Sequence, residues 1–124
     1  MQDLERFYIK IIESLKLIGT SDFEDTKSYF PDYVDLPFEV LDTYHNAFLL
    51  IPDLIDNNQF SNNTIANLIR LEILLNIIIK KPDFEHLNYE QLVNTKEWQT
   101  IINLAKETLD LIGIPLDKPD LDYI

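Results

Sequence analysis

A chain of 124 residues and 14.6 kDa has room for one core of modal domain size and none for a second. Hydrophobic residues at 46% are too many for a disordered acidic tail, so the net charge of -12 is expected on a folded surface, where it opposes direct binding of DNA or RNA. With no cysteine, disulfides, Cys-ligated zinc and thiol nucleophiles are excluded.

Leu4, Phe7, Tyr8, Ile11, Ile12, Leu15 and Ile18 recur at helical spacing and predict a helix over 2–18, with Gly19 as its C-terminal glycine. The same stretch carries charges and no basic n-region before an apolar run, so no signal peptide is expected and the mature chain is expected to start near Met1; the absence of cysteine fits a reducing cytoplasm, the expected location. Ser21-Asp22-Phe23-Glu24 has capping-box spacing and allows a short helix before Pro31. Asp35-Leu36-Pro37 then reads as a helix start, with Leu41, Tyr44, Phe48, Ile51 and Ile55 on one face of a helix over 36–57. Pro52 falls inside it, where a missing N–H and a clash one turn back predict a kink or a division near Leu49.

Asn57-Asn58 ends that segment, and Ser61 caps a helix over 62–80 that is apolar almost all round, which makes it the expected central helix. Its greasiest run, Leu71 to Ile79, contains Glu72 and Asn76 and is far short of the ~20 residues that span a bilayer. Lys80-Lys81-Pro82 terminates it. A helical turn over Tyr89 to Val93 precedes Asn94-Thr95-Lys96-Glu97, a second capping box, and a last helix bearing Trp98, Ile101, Ile102, Ala105, Leu109 and Ile112 that Gly113 closes. Trp98 is expected in the core. Two prolines in the last eleven residues make 113–124 an extended tail. The expected fold is all-α: one domain over 1–124, a compact bundle of four main helices with short extra helical turns and that tail.

The acid is regional. Residues 20–58 hold nine acids against one base, Lys27, and half of the aromatic residues, whereas 1–19 is neutral. Clustered like charge destabilises a fold, and carboxylates interleaved with Tyr and Phe suit a surface that docks a cationic protein. The candidate partner-binding residues are Asp22, Glu24, Asp25, Tyr29, Asp32, Tyr33, Asp35, Phe38, Glu39 and Asp42. The competing interpretation is a solvated face in which Asp22, Asp35 and Glu39 merely serve helix N-termini.

No catalytic residue and no cofactor is expected. There is no Gly-rich phosphate loop and no nucleophile elbow. Asp42 with His45, and Asp53 with Asp56, stand three apart as metal ligands can, but a bundle metal site normally takes two carboxylate–His pairs from different helices plus further Glu. His86, in a loop, is expected to be a plain surface residue.

Two stretches carry a resemblance: Asn46-Ala47-Phe48-Leu49-Leu50-Ile51-Pro52-Asp53-Leu54-Ile55, and Leu92 through Trp98 to Gly113, with its NTKEWQTIINLAKETLDLIG. They resemble small immunity proteins that accompany bacterial polymorphic toxins, in particular those of contact-dependent growth inhibition systems. The resemblance implies a cytoplasmic, non-enzymatic protein that neutralises a cognate toxin domain, often a basic nuclease, by tight one-to-one binding. A monomer with no nucleic acid and no membrane as partner goes with it. The alternative from another class is an adaptor bundle that self-associates, or scaffolds a complex, through the apolar excess of the 62–80 helix.

Overall fold

The computed structural model describes residues 2–20, 23–32 and 34–124, and among them every regular element is helical. Helix α1, Gln2–Gly19, places Asp3 and Glu5 at its positive end and Lys16 in its last turn. Ile11, Leu15 and Ile18 are fully buried along one side. That side packs against α3 (Leu36–Phe48), α4 (Ile51–Asp56) and α7 (Lys96–Ile112), so α1 is the enclosed element of the bundle. Gly19 is the last residue of α1 rather than a left-handed cap beyond it. A Cβ there would lie 3.1 Å from Leu116 Cδ1, so the glycine serves close approach of the tail.

The short α2, Phe23–Ser28, packs on α6 (Tyr89–Val93) and buries Thr26. The cap expected at Ser21-Asp22 lies outside the described residues. Asp35 caps α3 by accepting from the Phe38 N–H at 3.3 Å, with Pro37 in the first turn. The expected 36–57 helix is divided at Leu49-Leu50. Pro52 falls in the first turn of α4, where a missing N–H breaks no bond.

Helix α5, Asn62–Ile79, starts at Ser61, whose Oγ accepts from the Thr64 N–H at 3.2 Å. Leu68, Leu71, Leu75 and Ile78 are buried against α3 and α7. The opposite face is open: Ile69, Ile73 and Ile77 are 42%, 53% and 52% exposed. The expectation of an enclosed central α5 is therefore corrected. Its neighbours α3 and α7 cover one side of a cylinder that is apolar nearly all round, and α1 holds the centre.

The capping box forms at Asn88 and Gln91, ahead of α6. Helix α7 is capped instead by Thr95, whose hydroxyl accepts from the Trp98 N–H at 3.2 Å, so the expected Asn94–Glu97 box does not form. Glu97 takes Lys81 Nζ at 3.1 Å; its own backbone N–H and Lys81 lower its carboxyl pKa. Trp98 is fully buried, as expected, with its ring edge-on to Tyr89 at 6.2 Å. Gly113 closes α7 at φ 87, the left-handed cap that glycine adopts without strain.

Residues 114–124 are pinned rather than merely extended. Lys16 Nζ meets Asp117 Oδ1 at 2.7 Å, and the Asp120 N–H donates to Glu13 Oε1 at 3.3 Å. Pro119 is buried, and a 3-10 turn over Leu121–Tyr123 rests on α1. Among the described residues no helix is long and apolar enough to cross a membrane.

Candidate partner-binding groove

Because Asp35 and Pro37 start α3 beside the loop that follows α5, the front of α3 faces the end of α5 and the 82–88 connection. A groove runs along that seam. Its upper part is a cleft of about 220 Å³ between α3 and α5, lined by Phe38, Leu41, Asp42, His45, Glu72 and Ile79 among others. Phe38 and Ile79 are shared with a second cleft of about 290 Å³, which adds Asp35, Pro37, Phe84 and Leu87. Asp35, Pro37 and Leu87 in turn belong to a third, of about 440 Å³, which reaches Asp32, Val34 and His86. The three clefts adjoin through these shared residues, with Phe38, 50% exposed, between the first two.

Asp32, Asp35, Asp42 and Glu72 line the described groove against one lysine, Lys27, and the imidazoles of His45 and His86. Apolar walls beside carboxylates lower the local dielectric and strengthen the field that a cation would meet. Asp42 Oδ2 accepts from Asn46 Nδ2 at 3.2 Å along the helix. Glu72 projects from the buried side of α5: its Oε1 lies 2.5 Å from His45 Nδ1 and accepts from Asn76 Nδ2 at 3.3 Å. Beside it the Tyr44 phenol is fully buried, and burial, reinforced by the Glu72 charge, raises its pKa well above that of a free tyrosine.

The ten expected residues therefore separate. Asp32, Asp35, Phe38 and Asp42 come together in the groove. Glu24 and Asp25 are exposed on α2, and Glu39 is part-buried on α3; none of these lines the clefts. Tyr29 is part-buried against the core, with Lys118 Nζ of the tail 5.6 Å from its ring centroid, so part of that ring is already engaged. Asp22 and Tyr33 lie outside the described residues. Glu72, His45 and Asn76 are the additions. A signal for Glu72 was in the sequence: it is the one acid of α5, in register with Leu68, Leu71 and Leu75 on the buried side.

His45 turns to Glu72 rather than pairing with Asp42 as a ligand set, and among the described residues no group of three or more His, Asp or Glu side chains converges as a metal site would require. Compared with known proteins, the chain matches no family model, no curated protein and no solved structure.

Proposed function

We propose that this chain is a non-enzymatic binding protein of the immunity type, which neutralises a basic, nuclease-type toxin domain by seating part of it in the groove along α3. The observation that carries the proposal is the half-exposed Phe38 ring, which shares one cleft with Asp42 and Glu72 and a second with Asp35. An aromatic ring in a rim of one charge sign is the composition of an interface in which the ring anchors and the charge steers. Nuclease domains carry cationic clefts for phosphate, which such a surface complements. The resemblance in 46–55 and 92–113 points the same way. Co-expression with the product of the neighbouring reading frame tests it: a lethal product should be tolerated when this chain is present and should kill again when Phe38→Glu and Asp42→Lys are introduced together. Toxicity unrelieved by the wild-type chain would remove the proposal.

A second reading rests on the open face of α5. Residues 57–82 hold three basic residues and one acid, Glu72, which is turned inward, so the Ile69, Ile73, Ile77 stripe is where two copies of a -12 chain could meet with least repulsion. An adaptor that self-associates would use it. Sedimentation as a concentration-dependent dimer, abolished by Ile73→Lys, would favour this reading; a monomer throughout would exclude it.

A further inference from the structure

The cleft between α3 and α5 holds a carboxylate that the protein itself satisfies on one side only. Glu72 is 9% exposed, and its Oε1 is held by His45 and Asn76. Its Oε2 is buried and makes no hydrogen bond. Removing a carboxylate from water is unfavourable unless its lone pairs find donors, so a further donor that reaches this carboxylate would stabilise it. Asn76 also donates to the Glu72 carbonyl at 3.0 Å, which fixes the amide and, through it, the carboxylate. His45 reaches Oε1 from a half-exposed position and leaves the other oxygen alone. Lys81, just beyond α5, is committed to Glu97.

What lines the cleft restricts the donor. Leu41, Leu75 and Ile79 are apolar, Phe38 contributes a half-exposed aromatic ring, and Asp42 a second carboxylate. We propose that this pocket accepts an arginine side chain of the protein partner, its guanidinium displacing the half-exposed His45 ring to donate to the Glu72 carboxylate, donating also to Asp42, and laying its plane against Phe38. The proposal rests on the reading of the groove as a docking site for a cationic protein and specifies what that partner must present. A guanidinium suits the pocket better than an ammonium for three reasons. It is flat and stacks on aromatic faces; it carries donors on two edges and so can serve two carboxylates at once; and it gives up its hydration more readily on entering an apolar cleft. A lysine offers a compact, strongly hydrated charge that meets only the first carboxylate well.

The test is an NMR titration of the whole chain with N-acetyl-arginine methylamide and, in parallel, N-acetyl-lysine methylamide at matched ionic strength. Arginine should give saturable shifts at Leu41, His45, Leu75 and Ile79, with affinity about tenfold above lysine, the factor expected for one charge-assisted hydrogen bond in a desolvated site. Glu72→Gln should remove the preference for arginine. Because Glu72 also ties His45 and Asn76 together, Asp42→Asn and Phe38→Ala serve as variants at more exposed positions, and each should weaken arginine binding while thermal unfolding stays cooperative. Equal affinity for the two probes, or shifts that none of the three variants alters, would overturn the pocket. Shifts confined to residues around Asp32 and Asp35 would also overturn it, while leaving the wider docking reading intact. No shift with either probe, together with no protection by co-expression, would remove both.

Discussion

The Tyr44 hydroxyl donates a 2.6 Å hydrogen bond to the carbonyl oxygen of Leu68, joining α3 to α5 beneath the groove. The ring is fully buried, stacked on Phe48 at 6.2 Å. Burial and the Glu72 charge keep the phenol protonated, and therefore a donor, far into the alkaline range. Tyr44→Phe should cost about 1 kcal/mol, the net value of one hydrogen bond when the remaining acceptor keeps its helical partner. Urea denaturation measures it through a lower midpoint at constant slope. A variant as stable as the wild type would mean that the bond contributes nothing beyond the packing of the ring.

Tyr89 gives the fold an alkaline limit. It is 2% exposed between α2 and α7, and burial pushes its phenol up to about 12. A raised folded-state pKa means that the native chain holds its proton after the unfolded chain has begun to lose it. The stabilisation is complete below about pH 10, the unfolded value, and disappears as pH climbs through about 12. The loss from this residue is on the order of 2 kcal/mol. Tyr44 and Lys16, also raised, act with the same sign, so the comparison must be with Tyr89→Phe. That variant should lose less stability between pH 9 and 11 than the wild type, and identical losses would place the alkaline transition elsewhere.

The tail is held by charge as well as by packing. Removal from water disfavours the Lys16 ammonium, but its hydrogen bonds to Asp117 and Glu13 outweigh this, and its pKa is raised. Lys16→Met keeps the stem that packs and deletes both ion pairs. Chymotrypsin should then cut after Leu116 and Leu121 sooner than in the wild type, while cleavage within α7 is unchanged. Equal rates at these two bonds would show that Pro119, Leu116 and the 3-10 turn hold the tail without Lys16.

What the sequence revealed and what it hid divide along physical lines. Asp35, Ser61 and Gly113 act locally, through bonds and dihedrals within a few residues, and each sits where the chain order alone placed it. Pro52 likewise had to break the 36–57 segment. Gly19 was misread because its reason is Leu116, nearly a hundred residues away, and not its own φ. The α5 helix was misplaced for a related reason: hydrophobicity all round an axis states how much apolar surface there is, not how many neighbours the topology supplies to cover it. Within the groove, Asp32, Asp35, Phe38 and Asp42 were legible as a run of acid and aromatic residues. Glu72 was not, since an acid isolated among isoleucines belongs to no run and acquires its meaning only when α3 lies across it.

Asp35 separates electrostatics from folding, which decides how the charge of the groove is to be tested. Its carboxylate is exposed, and it also accepts from the Phe38 N–H to start α3. Asp35→Lys would reverse a charge and remove a cap worth about 1 kcal/mol, confounding association with stability. Asp35→Asn keeps the acceptor and removes the charge alone. Combined with Asp32→Lys and Asp42→Lys, it should slow association with a basic toxin domain by about tenfold or more at low salt and flatten the salt dependence. The dissociation rate should change less. Phe38→Ala should do the reverse, raising the off-rate with little effect on the on-rate, because a half-exposed ring acts after encounter. The same charge changes at Glu24 and Asp25, which do not line the groove, should slow association less. If they slow it as much, attraction comes from the whole acidic segment over 20–58 and the groove has no privileged part in capture.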